Sequence, residues 1–335
     1  MSSSPNLKGT LFRVGRYVLA AAVLCAVIYL VTTGDLVEAL RQVSLFDIAI
    51  LVGISFLLIA VSVVKWRLFL ESLGIDRSFK QLFGLYLVGY FVNTFTPSFI
   101  GGDVARSLAL GPTVNRAHAV SATALERYTG IVAMLFMAGC AALVSSVVTK
   151  EIILIVVLAV CSCAIGTWLI FAGHVNKIAA RLNLPKKVLA TLDSVHQGLV
   201  LGTRDRNLVK RALVLSIVFH LLTIVNTAAV GAAVGWQEIP WGGLLVVVPL
   251  ILLIGAVPIS PQGLGIQEGA FVFFLHSVGA STGQALAIAL ILRAKSYLLA
   301  LLGALVWIAC RGELGTGAGR VMENGARNAT GDSGR

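Results

Sequence analysis

The chain has 335 residues, of which 58% are hydrophobic and 12% are charged. Soluble domains normally carry about 25% charged residues, so this composition excludes a soluble globular protein and indicates an integral membrane protein. The net charge of +11 does not indicate nucleic-acid binding, because Lys and Arg collect in the cytoplasmic loops of membrane proteins.

Six apolar segments are long enough to cross a bilayer, for which a helix needs roughly 20 residues. They cover approximately residues 14–33, 45–64, 118–148, 152–173, 212–234 and 283–310. Two further apolar segments, 81–111 and 242–277, are interrupted by glycine and proline. The five cysteines lie in or beside apolar segments, which predicts neither a disulfide framework nor a metal site.

The positive charges of the loops orient this chain in the membrane. Segment 174–211 contains eight Lys or Arg residues and two Asp residues, so it is expected to be a cytoplasmic loop. With a cytoplasmic N-terminus, that placement requires 81–111 to enter from the cytoplasm and turn back. The cationic C-terminus likewise requires 242–277 to enter from the outside and return. The expected fold is therefore all-α, with about six full transmembrane helices and two opposed re-entrant helical hairpins.

These assignments place both chain termini in the cytoplasm and the protein in the cell membrane, either plasma or inner. Residues 1–311 then form one integral membrane domain, and residues 312–335 form a disordered cytoplasmic tail rich in Gly, Asn and Arg. Broken helices at corresponding places in two halves of a chain are typical of a transporter binding site.

The first hairpin turns within the stretch NTFTPSFIGGDVARS, residues 93–107. Irregular backbone at membrane depth survives only inside protein or beside a wet cavity. The residues expected to end the first half-helix and form the turn are Pro97, Gly101 and Gly102. Asp103 is the expected N-cap of the second half-helix, and Arg106 lies one turn further on the same face. The positive helix end and Arg106 suit an anion, unless Asp103 and Arg106 simply neutralise each other.

The second hairpin repeats this arrangement in PISPQGLGIQEGAFVFFLH. The residues expected to end its first half-helix and form its turn are Pro258, Pro261, Gly263 and Gly265. Gln267 and Glu268 then open the second half-helix. Glu268 is either a cap partner or a functional carboxylate, because ionisable residues inside a membrane are functional candidates.

Two further pairs of charged residues interrupt apolar spans, namely Glu126 with Arg127 and Arg293 with Lys295. Adjacent residues point about 100° apart on an α-helix, so Glu126 and Arg127 are expected to have different partners. Lys295 either snorkels to the interface or pairs with Glu268. Together with the tip residues, these groups leave one surplus positive charge at membrane depth, which suits an anionic headgroup.

Five stretches of this sequence are typical of one family. They are KWRLFLESLGI (65–75), NTFTPSFIGGDVARSLAL (93–110), ERYTGIVAMLF (126–136), PISPQGLGIQEGA (258–270) and ILRAKSYLLALLGALVW (291–307). With them the chain resembles the flippase-like integral-membrane family typified by the membrane portion of lysylphosphatidylglycerol synthases. Gln262 stands where that family often has glycine. The soluble aminoacyltransferase domain of the full synthases is expected to be absent, so aminoacyl transfer is not assigned.

The resemblance implies a membrane domain that translocates or otherwise handles lipid. It also marks the charged and polar tip residues as functional candidates. The candidates for substrate binding are Asn93, Asp103, Arg106, Arg127, Gln267, Glu268 and Arg293, with Glu126 and Lys295 as charge partners.

The favoured functional hypothesis is translocation of an anionic lipid or a polyprenyl-phosphate-linked lipid. One alternative is a membrane-embedded lipid transferase that uses Asp103, Glu126 and Glu268. Another is a non-catalytic partner that positions a lipid-synthesis enzyme through the basic segment 174–211. No cofactor is expected, because the nucleotide-binding pattern GxxxxGK[ST] does not occur.

Overall fold

The computed structural model describes residues 25, 29, 33–96, 100–111, 114–145, 147–172, 186–257 and 260–309. Within these ranges the chain forms eleven α-helices and no β-strand. They are α1 (Thr33–Arg41), α2 (Leu45–Ser72), α3 (Phe79–Asn93), α4 (Ile100–Leu108), α5 (Arg116–Val144), α6 (Lys150–Phe171), α7 (Lys186–Thr203), α8 (Arg206–Ala233), α9 (Trp241–Gly255), α10 (Ile266–Ser277) and α11 (Thr282–Ala309). The prediction of an all-α polytopic membrane protein is confirmed.

Five of the described helices, α2, α5, α6, α8 and α11, are long and apolar enough to cross a membrane. They correspond to five of the six predicted spans. The predicted first span, 14–33, lies almost entirely outside the described residues, as does the predicted tail, 312–335. The remaining apolar helices are shorter and belong to the two interrupted segments.

Helix α2 begins at a capping box and runs further than its apolar stretch predicts. The Asp47 carboxylate accepts a hydrogen bond from the Ser44 backbone N–H at 2.9 Å, and the Ser44 hydroxyl accepts from the Asp47 N–H at 3.2 Å. The predicted span ended at residue 64. Instead the helix continues, and Lys65 and Trp66 are buried. Lys65 is tolerated there because its ammonium donates to the Ser216 hydroxyl on α8 at 3.1 Å.

Each of the two interrupted segments folds back on itself. On α3 and α4, Gly102 approaches both Asn93 and Gly89, while Arg106 approaches Gly89, so the two helices run antiparallel. Helices α9 and α10 are also antiparallel and are joined by a short 3₁₀ turn, Pro261–Gly263. The longer arm of each pair has 15 residues, which is about 22 Å of helix and less than a bilayer core of about 30 Å.

The sequence predicts a loop over the basic segment 174–211, but its described part is largely helical. Helix α7 packs against α5 because two glycines bring the backbones together. Gly198 lies against Ser121 and Gly202 lies against Leu125, and a side chain at either glycine would overlap its neighbour. The Ser121 hydroxyl also donates to the Val195 carbonyl at 3.2 Å. The cytoplasmic location of this segment stays a prediction.

Candidate functional site

At the first tip, helix α4 begins three residues earlier than expected, at Ile100. Asp103 therefore lies inside the first turn, and the prediction that it is the N-cap was wrong. Gly101 and Gly102 are helical residues rather than turn residues. Gly102 is required for a different reason: a side chain there would overlap the Gly89 carbonyl oxygen of α3. This close approach lets the Gly102 N–H donate to Asn93 Oδ1 at 2.7 Å. Pro97 lies outside the described residues.

The charged residues of the first tip form one continuous network. Asp103 accepts two hydrogen bonds from Arg127, at 2.7 and 2.8 Å, and a third from Arg106 at 3.1 Å. Arg106 also donates to Glu126, whose second oxygen accepts from the Tyr86 hydroxyl at 2.6 Å. Glu126 and Arg127 thus have different partners, as their 100° separation predicts. Asp103 and Arg106 do neutralise each other, and the network extends beyond them. We name these four charged residues and Tyr86 the first cluster.

Arg106 is enclosed within the first cluster. Its guanidinium carbon lies 4.3 Å from the Trp66 ring centre and 4.2 Å from the Tyr86 ring centre, so aromatic faces supply further stabilisation of its charge. Its side chain is 1% exposed, whereas that of Arg127 is 48% exposed. Arg106 therefore holds α3, α4 and α5 together, and Arg127 is the arginine of this cluster that an outside group reaches.

At the second tip, Arg293 on α11 joins three parts of the interrupted segment. Its guanidinium donates to the Glu268 carboxylate at 2.6 Å, to the Gln262 carbonyl at 2.8 Å and to the Gln267 side-chain oxygen at 3.4 Å. The other Glu268 oxygen accepts from the Gly265 N–H at 2.7 Å. Glu268 is therefore the cap partner of α10, one of the two roles proposed from the sequence, and it is also the counterion of Arg293. Lys295 does not pair with Glu268.

The second tip turns through left-handed backbone, as its glycines predict. Gly263 and Gly265 have φ values of 68° and 80°. Pro261 begins the 3₁₀ turn, while Pro258 lies outside the described residues. Gln262 also has a positive φ, 48°, and in the described part of the chain it is the one residue other than glycine that does. A glycine at this position would adopt the same backbone without that side-chain cost.

Replacing Gln262 with Gly is expected to raise the free energy of unfolding by about 1 kcal/mol, because left-handed backbone costs a side-chain-bearing residue about 1–2 kcal/mol. Gln262→Val should lower it by more than that, because a β-branched side chain tolerates a positive φ least. Thermal unfolding of the purified protein in detergent measures both changes. Equal melting temperatures for wild type and Gln262→Val would contradict this account.

A cavity of about 210 Å³ lies where the two tips meet. Asn93 comes from the first tip, and Gln262, Gln267 and Glu268 come from the second. Helix α11 adds Arg293 and Lys295, and α8 supplies one wall. The charged residues of the first cluster do not line this cavity. The structure thus divides the predicted site residues into the first cluster and a separate, cavity-lining group.

The charges of the cavity do not balance. Arg293 and Lys295 are opposed by Glu268 alone, so one positive charge remains. Among the described residues, no carboxylate lies within ion-pair distance of Lys295. Lys295 is partly buried and lines the cavity, which makes it the cation available to a bound anion.

Sequence comparison agrees with this architecture. The family model for the lysylphosphatidylglycerol synthase TM region matches residues 14–303, which contain every residue of both tips. The chain belongs to this family. Two membrane proteins of Methanothermobacter thermautotrophicus, both called UPF0104 membrane protein, are also similar. One is 25% identical over 310 residues, covering 84% of this chain and 90% of the relative. The other is 22% identical over 312 residues, covering 84% and 88%.

The region that matches the lysylphosphatidylglycerol synthase TM region family contains the charged residues described above. The cavity also has a wall of neutral polar residues, which the family match does not single out. That wall contains Thr223, Asn226 and Thr227 on α8 and Ser296 on α11. The candidates predicted from the sequence were charged residues and residues of the two tips, and these four residues belong to neither group. The three residues on α8 are spaced i, i+3 and i+4, which places their polar side chains on one face of an apolar helix. This spacing is visible in the sequence and indicates a polar surface inside the protein.

Proposed function

We propose that this protein moves a lipid with an anionic headgroup between the two leaflets of the cell membrane. The observation that carries the proposal is the surplus cation, Lys295, in a cavity where two interrupted helices meet. A lysine without a counterion is costly in a membrane, and such residues commonly mark substrate pathways. The headgroup would occupy the cavity while the acyl chains stay in lipid.

The helix lengths support a re-entrant arrangement of the two segments. The arms of each segment are too short to cross the bilayer individually, and each segment doubles back. Irregular backbone at the tips is acceptable because protein and a polar cavity surround it. In this arrangement both chain termini are cytoplasmic, as the loop charges predict.

The carboxylates favour transport over catalysis. Asp103 and Glu126 are engaged by arginines of the first cluster, and Glu268 is engaged by Arg293 and the Gly265 N–H. A general base or a metal ligand needs a carboxylate oxygen that faces its substrate. Their geometry instead suits charge compensation within the fold. We therefore favour a transporter over a membrane-embedded transferase.

The Lys295→Gln variant is expected to translocate anionic lipid at least about tenfold more slowly than wild type, because it removes the charge that compensates the phosphate. The measurement uses protein reconstituted in liposomes and a headgroup-intact, acyl-labelled phosphatidylglycerol whose inner-leaflet fraction is followed by chemical quenching. Lys210→Gln is the matched control, since Lys210 is an exposed lysine on α8. Equal rates in wild-type and protein-free liposomes would reject the proposed function.

A further inference from the structure

Lys65 on α2 is a second surplus cation, and it is enclosed by protein rather than facing the cavity. The residue is 4% exposed and does not line the cavity. Its Nζ donates to the Ser216 hydroxyl, and among the described residues no carboxylate lies within ion-pair distance of it. An ammonium has three hydrogens, so two of those on Lys65 have no acceptor in the part of the chain that the structure describes.

The charged groups that act on Lys65 belong to the first cluster, which is already balanced. Glu126 on α5 attracts the Lys65 ammonium through space, while Arg106 on α4 and Arg127 on α5 repel it. On α3, the Tyr86 hydroxyl is bonded to Glu126. Two carboxylates face two guanidinium groups within that cluster, so no negative charge remains to compensate Lys65.

His220 is the titratable neighbour of Lys65 on α8. Its Nε2 lies 3.0 Å from the Gly130 carbonyl, which can only accept, so Nε2 carries the hydrogen of the neutral ring. Nδ1 is then an acceptor, and it is buried without a partner among the described residues. A methyl group added at Gly130 would lie 3.4 Å from Lys65 Nζ and 3.9 Å from His220 Nε2. Lys65, Ser216 and His220 therefore form one enclosed polar site.

Loss of a proton is the available way to remove the charge of this site. A ligand does not reach Lys65, and a charge buried without a counterion is costly. Arginine keeps its proton in proteins, so Lys65 is the cation beside the first cluster that can become neutral. Release breaks one Nζ–H bond and leaves its electron pair on the nitrogen. The proton passes to water, and the free lone pair of His220 Nδ1 is the neighbouring base.

One aromatic ring separates Lys65 from the cavity. Its Nζ lies 5.9 Å from the centre of the Phe219 ring, and Phe219 lines the cavity. Leu58, two turns earlier on α2, lines it as well. Charges interact over such a distance in a poorly screened interior. An anion in the cavity therefore favours proton uptake by Lys65, and by reciprocity a protonated Lys65 favours binding of the anion.

We propose that Lys65 is a proton-binding site linked to the cavity, which takes up a proton as an anion binds and releases it as the anion leaves. Ser216 and His220 are its neutral hydrogen-bonding neighbours. The affinity of the cavity for an anion then increases as the pH falls through the titration of Lys65. The linkage to a lipid rests on the proposed function, whereas the proton site does not.

Nuclear magnetic resonance of the full-length protein in detergent, with ¹⁵N-labelled lysine side chains, follows this proton directly. The Lys65 signal is identified by its loss in Lys65→Met and, separately, in Lys65→Arg. Its change from ammonium to amine gives the midpoint of the titration. Saturating phosphatidylglycerol should raise that midpoint by about one pH unit, which is about tenfold tighter proton binding. Lys80 is the matched control, because it is an exposed lysine at the start of α3 and its signal should not respond to the lipid.

A permanent anion on the cavity wall makes the test independent of lipid binding. Thr223 lines the cavity one turn beyond Phe219 on α8. Thr223→Asp places a carboxylate opposite the surplus positive charge of the cavity, so it should raise the Lys65 midpoint in the absence of lipid. Thr223→Asn is the matched control, because it has a similar shape without the charge.

The outcomes separate the proton site, its linkage and the proposed function. A Lys65 that stays an ammonium at every pH at which the protein is folded overturns the proton site. A midpoint that neither phosphatidylglycerol nor Thr223→Asp moves overturns the linkage. A midpoint that Thr223→Asp alone moves supports the linkage and rejects phosphatidylglycerol as the anion. A midpoint that both move, in a protein that moves no lipid in the liposome assay, supports the inference and rejects the proposed function.

Discussion

Arg106→Ala is expected to lower the free energy of unfolding by about 3–5 kcal/mol, because it leaves the buried Glu126 carboxylate without its cationic partner. The substitution also empties the space between the Trp66 and Tyr86 rings. Both effects fall at the junction of α3, α4 and α5, so expression and detergent-solubilised yield should fall as well. Chemical or thermal unfolding in a mild detergent measures the loss.

A double variant separates charge from packing in this prediction. Arg106→Met with Glu126→Gln keeps side-chain volume and removes both charges, so it should recover most of the stability that Arg106→Ala loses. Arg67→Ala provides the surface control, since the Arg67–Glu71 pair is 41% and 43% exposed. Exposed pairs contribute little, so that change should stay within about 0.5 kcal/mol. A double variant no more stable than Arg106→Ala would show that the buried charges are not the cause.

Arg293→Ala is expected to abolish translocation and to destabilise the second tip. It leaves Glu268 buried without a counterion and releases the Gln262 carbonyl and the Gln267 side chain. Loss of one partner from a buried pair costs about 3–5 kcal/mol, which lowers the equilibrium constant for forming the tip by at least about a hundredfold. Liposome translocation and melting temperature should both fall.

Arg293→Lys distinguishes charge from geometry at the second tip. A lysine keeps the positive charge but lacks the planar fork that reaches Glu268, Gln262 and Gln267 together. We expect it to restore part of the stability and little of the transport. Arg204→Ala, at an exposed arginine between α7 and α8, should leave both measurements unchanged. Wild-type transport by Arg293→Lys would show that charge alone suffices at this position.

The sequence predicts the framework of the fold because a bilayer limits which segments can cross it. The apolar runs of the sequence predicted the five spans that the structure describes. The glycine and proline residues predicted both breaks in the helices. Adjacent residues on a helix diverge by a known angle, so the separate partners of Glu126 and Arg127 also followed from spacing. These inferences depend on local geometry, which one sequence contains.

Other features depend on contacts between distant parts of the chain. Asp103 bonds Arg127, which is 24 residues away, and nothing local distinguishes that role from helix capping. Lys65 is buried because Ser216 lies opposite on another helix, a pairing across 151 residues. The carbonyl of the left-handed Gln262 accepts a hydrogen bond from Arg293, which is 31 residues away. Spacing alone specifies none of these contacts.

The unmatched ammonium of Lys295 has a consequence for the energetics of a transport cycle. In the proposed function, departure of a bound phosphate would leave that charge alone in a poorly screened interior, where solvation is weak. Release of the anion to leave an empty site is then the energetically unfavourable step, and exchange of one anion for another avoids it. Such a site favours exchange between leaflets over one-way export.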